Sequence, residues 1–121
     1  MNNLTRFYRS SLGKKYIMAL TGFALFVFVV IHMAGNLQIF LGREPINAYA
    51  AFLKSKPGLL WSVRVGLLLV ALLHIVTALQ LARANRAARP VGYDDYRVLA
   101  AGLGAQTILF SGLIILAFVV Y

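Results

Sequence analysis

The sequence predicts an all-α membrane protein, a transmembrane helical bundle with three spans. Three observations carry this. The chain holds 121 residues of which 61% are hydrophobic and 12% charged. Its charged residues leave three long uncharged runs: Tyr16 to Gly42, Val65 to Ala82 (His74 apart), and Val98 to Tyr121. A helix needs roughly 20 apolar residues to cross a hydrocarbon core of about 30 Å, and a soluble domain of this size could not cover its surface with such a composition.

Residues 1–15 form a basic amphipathic lead with Arg6, Arg9, Lys14 and Lys15. Helix I is expected over about 15–40. Gly42, Pro45 and Asn47 signal a turn, and Ile46 to Leu53 a short interfacial helix broken by Pro57-Gly58. Helix II is expected over about 59–85. Arg64 and Arg83 bracket its apolar part and can carry their charged heads to the interfaces. A connection with Pro90, Gly92 and the aspartates Asp94 and Asp95 leads to helix III, about 97–121. The whole of 1–121 reads as one transmembrane domain.

The two histidines of the chain, His32 and His74, both lie inside apolar runs. An ionisable group at membrane depth is costly and points to function by default. Neutral imidazole is the commonest metal ligand, so the two residues suggest a haem protein that moves electrons. On a wheel of 100° per residue, Thr21, Leu25, Phe28, His32, Asn36 and Ile39 share one face of helix I. His32 is therefore expected to face the bundle. His74 shares a stripe with Val63, Leu67, Val70, Ala78 and Leu81, with the small Ala71 and Ala78 beside it. Gly104, Thr107 and Ser111 form a small-residue stripe on helix III.

Depth separates the two imidazoles. The helices enter from opposite sides, which sets His32 in the outer half and His74 in the inner half. In a core of about 30 Å the two rings then differ by roughly 10 Å in depth. They are expected to serve different haems, one above the other, with the remaining axial ligands supplied from elsewhere. Met18 and Met33 are sulfur alternatives at poorer depth and face.

Other chemistries are excluded or unsupported. The absence of cysteine rules out disulfides, thiolate-held iron–sulfur clusters and covalently attached haem. There is no phosphate loop, no nucleophile–base set and no zinc motif, and no catalytic residue is expected. Glu44 and the Asp94-Asp95 pair read as solvated loop residues. The net charge of +9 fits flanking basic residues and anionic lipid better than nucleic acid, since the basic residues bracket the spans.

The blocks Ser10-Ser11-Leu12-Gly13-Lys14-Lys15, Met18-Ala19-Leu20-Thr21-Gly22 and His32-Met33-Ala34-Gly35-Asn36-Leu37 resemble the start of the cytochrome b membrane anchor of bacterial succinate:quinone oxidoreductases, the type with a single anchor polypeptide and two b haems. The segments 47–53 and 84–93 are similar to the same family. The resemblance implies a multi-pass protein of the bacterial cell membrane, docked to cytoplasmic flavoprotein and iron–sulfur subunits of succinate dehydrogenase. It implies electron transfer between the iron–sulfur subunit and quinone, often menaquinone, with some relatives working as fumarate reductases. It assigns His32 to the haem far from the dehydrogenase and His74 to the near haem. Family anchors have five helices and four histidine ligands, so this chain is expected to be the first three helices, or to be completed by a partner. Two rivals stand beside this reading: a haem-free membrane scaffold that docks soluble subunits, and the anchor of another quinone-linked two-haem dehydrogenase.

Charge sets the expected orientation. The lead and the second connection hold Arg6, Arg9, Lys14, Lys15, Arg83, Arg86, Arg89 and Arg97, whereas the first connection and its flank hold Arg43, Lys54, Lys56 and Arg64. The positive-inside rule then puts the N-terminus in the cytoplasm. Reporter fusions after Lys56 and after Arg89 should report outside and inside respectively, and the reverse pattern would refute the assignment.

Overall fold

A computed structural model describes residues 3–88 and 103–120. The described residues form helices, with no strand among them. They fall into two units, Met1–Arg89 and Pro90–Tyr121.

The first unit begins with a short helix, α1 (Asn3–Arg9), and turns at Ser10 into the long α2 (Ser11–Asn36). Ser10 makes the joint. Its backbone is extended (φ −73°, ψ 147°), and its Oγ accepts from the Gly13 N–H at 2.9 Å. The same hydroxyl donates to the Phe7 carbonyl at 2.7 Å. One serine thus caps the start of α2 and ties off the end of α1. Helix I therefore starts about four residues before the expected Lys15. The basic pair marks the end of the apolar run, while the cap marks the end of the helix.

After Asn36 the helix tightens into a 3₁₀ segment, Leu37–Leu41. The chain then reverses at Gly42, whose φ of +116° is open to glycine and strained for any other residue. A helix α3 (Arg43–Lys54) follows, with Glu44 in its first turn and Lys54 in its last, both placed favourably on the helix dipole. A helix covers the expected 46–53 but begins at Arg43. The expected break falls at Ser55 and Lys56, and Pro57 itself opens α4 (Pro57–Ala87), in the first turn where a missing N–H costs nothing.

α4 runs back antiparallel along α2 and packs against it. The buried and half-buried positions of α2 include Lys14, Met18, Thr21, Leu25, Phe28 and Gly35. Those of α4 include Leu67, Val70, His74, Thr77 and Leu81. Steps of three and four alternate along both, the 3.5-residue seam of a two-stranded supercoil. α3 folds back over the turn, and the Tyr49 ring lies against Gly35, where an added Cβ would sit 3.0 Å from the phenol oxygen. At the opposite end α1 leans on α4, with Tyr8 Oη donating to Gln80 Oε1 at 3.3 Å.

The segments Ser11–Leu41 and Pro57–Ala87 are each long and apolar enough to cross a membrane. The second unit contains α5 (Leu103–Val120), whose described apolar stretch, Thr107–Phe118, is shorter. Its Ser111 Oγ donates to the Ile108 carbonyl at 3.0 Å. The expected start of helix III at Arg97 and the residues Arg89, Pro90, Gly92, Asp94 and Asp95 lie outside the described residues.

Gly13 is the tightest point of the α1–α2 joint, because a Cβ there would run into the Phe7 carbonyl group, which is backbone and cannot swing aside. Gly13→Ala should cost about 1–3 kcal/mol by overpacking and release α1 from Gln80. Gly58→Ala, where a Cβ meets nothing within 4 Å, is the control. Thermal unfolding of both variants in detergent checks this, with a lower midpoint expected for Gly13→Ala alone.

Candidate functional site

The polar centre of the α2–α4 seam is built on Thr21. Its side chain is 7% exposed. Its Oγ1 donates to the Ile17 carbonyl one turn back at 2.7 Å, with the Met18 carbonyl 3.2 Å away. A threonine inside a helix commonly satisfies its hydroxyl this way. Here the same oxygen also lies 2.9 Å from His74 Nδ1 on the facing helix.

Gly22 supplies the space. A Cβ built on Gly22 would stand 3.1 Å from His74 Cε1 and 3.6 Å from Nδ1. The Nδ1–Cε1 edge of the imidazole therefore lies against the α2 backbone, and the Nε2 edge is turned away from it. Nε2 makes no hydrogen bond among the described residues. The ring is half-buried, with Val70, Ala71 and Ala78 half-buried on the same side of α4 and Leu81 buried.

His32 sits in different surroundings. It is exposed, and its ring stacks on Phe28 with centroids 5.2 Å apart and planes 29° apart. Neither ring nitrogen has a hydrogen-bond partner among the described residues. The expectation that the His32 face turns into the bundle holds only at its Thr21 end. Leu25 and Phe28 are half-buried, but His32, Asn36 and Ile39 are exposed. Two causes are visible. The seam advances in steps of seven, from Thr21 through Phe28 to Gly35, whereas a 100° wheel drifts off it by about 20° per heptad and selects Asn36 and Ile39 instead. Asn36 also needs no partner helix, because its Nδ2 donates to the His32 carbonyl at 2.7 Å.

The Thr21–His74 bond fixes the register. His32 lies eleven residues beyond Thr21 on α2, which at about 1.5 Å per residue separates the two histidines by ~16 Å along the axis. The sequence estimate of roughly 10 Å rests on two helix starts placed independently. The two rings are not brought together.

Of the remaining residues singled out by sequence, Met18 is half-buried in the seam and Met33 is exposed. The Arg64 guanidinium lies 5.2 Å from the centre of the Trp61 ring, a pairing suited to an interface anchor. Arg83 and Glu44 are exposed. No group of three His, Cys, Asp or Glu side chains that could hold a metal ion occurs among the described residues.

Comparison of the chain with protein families, with curated proteins and with solved structures gives no match.

Sequence reasoning misses two polar features of the seam. The Thr21–His74 pairing is open to prediction, since both residues lie within about ten positions of the same basic end of the helix pair. Thr77 carries no such signal. It is fully buried, and its Oγ1 finds no partner among the described residues. A buried unsatisfied hydroxyl costs about 1–3 kcal/mol. The isosteric Thr77→Val should therefore raise the thermal midpoint of the chain, as measured by circular dichroism in detergent; a lower midpoint would show that the hydroxyl has a partner.

Proposed function

We propose that this chain is the haem b membrane anchor of a succinate:quinone oxidoreductase or fumarate reductase, passing electrons between an iron–sulfur subunit and quinone. The observation that carries the reading is the setting of His74. A half-buried imidazole stands between two long apolar helices, held at Nδ1 and free at Nε2. A histidine held at one nitrogen and free at the other could serve as a haem ligand. The second imidazole, on His32, is ~16 Å away along the axis, which fits one ligand to each of two haems rather than two ligands to one.

The membrane setting is supported by the surface of the helices. In each of the two long segments only 6% of the most apolar window is buried, whereas the core helix of a soluble protein is mostly buried. Phe40, Leu41, Phe26 and Leu20 are among the large apolar side chains left exposed, a surface that lipid covers and water does not favour. On this reading α5 belongs to the third span. Arg6, Arg9, Lys14 and Lys15 precede the first span or open it, and Arg83 and Arg86 close the second, so the basic end is cytoplasmic in a bacterial cell membrane.

His74 and His32 would each hold one of two haems through an imidazole. Haem b supplies reversible one-electron transfer when bound. The chain's own residues do the rest. Thr21 holds the His74 ring by its Nδ1. Gly22 lets that ring approach the α2 backbone. Phe28 braces the His32 ring by stacking. The half-buried Val70, Ala71 and Ala78 flank the His74 ring and lower the local dielectric there.

The haem-free scaffold has one observation in its favour: the Thr21–His74 contact by itself would also serve as a packing hydrogen bond between helices. Spectra separate the two. In the assembled complex, His74→Ala and His32→Ala should each remove a different component of the reduced-minus-oxidised haem spectrum. Full haem content in both variants would favour the scaffold. The succinate partner is tested separately: membranes of cells lacking this chain should release succinate dehydrogenase activity into the soluble fraction, and activity that stays on the membrane would point to another dehydrogenase.

A further inference from the structure

We infer that Thr21 is a positioning residue for His74, fixing its imidazole in the Nδ1–H tautomer so that Nε2 carries the lone pair; the role this serves rests on the reading of His74 as a haem ligand.

A count of protons decides the tautomer. The Thr21 hydroxyl has one hydrogen and two lone pairs. Its closest acceptor is the Ile17 carbonyl at 2.7 Å, with the Met18 carbonyl second at 3.2 Å. Both neighbours are acceptors only. Were the hydrogen aimed at His74 instead, the Thr21 and Ile17 oxygens would face each other at 2.7 Å with no proton between them. With the hydrogen on the helix carbonyl, Oγ1 can meet His74 Nδ1 at 2.9 Å only as an acceptor, so Nδ1 must carry the N–H. A neutral imidazole has one N–H, which leaves Nε2 bare.

Burial and shape make the assignment firm. Thr21 is 7% exposed, so water is poorly placed to rescue a mismatched pair. Turning the ring over would keep its shape but set a carbon, Cδ2, against Thr21 Oγ1 and forfeit the 2.9 Å hydrogen bond. The free imidazole side chain prefers the opposite tautomer, Nε2–H, so the hydroxyl works against the intrinsic preference. Metal-binding histidines use the same division of labour: one nitrogen donates to a fixed acceptor, the other binds the metal, and loss of the outer partner lowers metal affinity by about 10–100-fold.

The test needs no haem. Solid-state nitrogen NMR of the full chain, labelled at histidine and reconstituted in lipid bilayers at mildly alkaline pH, distinguishes protonated from bare ring nitrogens, and a His32→Asn background leaves one imidazole to read. The native chain and Thr21→Ser should show His74 as Nδ1–H. Thr21→Val, close in shape, should show Nε2–H. A native His74 found as Nε2–H overturns the inference with no substitution needed, and so does a Thr21→Val spectrum identical to the native one. The haem reading stands or falls apart from this. In the assembled complex Thr21→Val should lower haem affinity at the His74 site about 10–100-fold, with Thr21→Ser restoring it. A switched tautomer with unchanged haem affinity, alongside a His74→Ala variant of full haem content, would overturn the ligand role while leaving the proton assignment intact.

Discussion

One hydrogen bond sets the coordinates of everything else in the first unit. Thr21 and His74 are separated by 53 positions in sequence and 2.9 Å in space. Their pairing fixes how far α2 and α4 slide past one another, and so which residues of each helix are level. It brings the end of α1 to Gln80, and it sets His32 and His74 at different heights. Its energetic contribution is small: hydrogen bonds between helices in a membrane average about 0.6 kcal/mol. Much of the adhesion between α2 and α4 comes from the packed seam, and an aliphatic seam could hold in several registers. The polar pair selects one of them, as a single polar residue does in a coiled coil.

The seam joins side chains of very different kinds. Thr21, His74 and Thr77 lie in the middle of a row otherwise made of Met18, Leu25, Phe28, Leu67, Val70 and Leu81. Three polar groups on an apolar contact line are expensive, and only two of them satisfy each other. Thr77 is left over. The proposed electron-transfer role accounts for His74 and Thr21; Thr77 has no account in the structure.

Much of the first unit can be read from sequence because the signals are long and redundant. Two apolar runs with basic flanks give two helices, and the polar residues of the first run mark the contact face near Thr21. Errors arise where the deciding feature is a single atom or angle. The start of α2 depends on the Ser10 hydroxyl, which no hydropathy pattern reveals. The start of α3 depends on a positive φ at Gly42, where glycine signals a turn without showing that a helix opens at the next residue. The exposure of Asn36 depends on a bond to its own helix. At the site, both histidines stand out as ionisable groups in apolar surroundings. Their unequal settings, one clamped and one exposed, depend on which α4 residue stands opposite Thr21, and one sequence holds no direct measure of that.

The Ser10 joint has an electrostatic side. The N-terminal turn of a helix carries unsatisfied N–H groups and a partial positive charge, normally offset by an acidic residue. α2 has no acidic residue in its first turn, and the residues around it include Arg6, Arg9, Lys14 and Lys15. Ser10 satisfies one N–H with a neutral oxygen and leaves the charge in place. The start of α2 thus joins a helix dipole that no acidic side chain of its first turn offsets to a cluster of basic residues, and a single neutral hydroxyl supplies the cap.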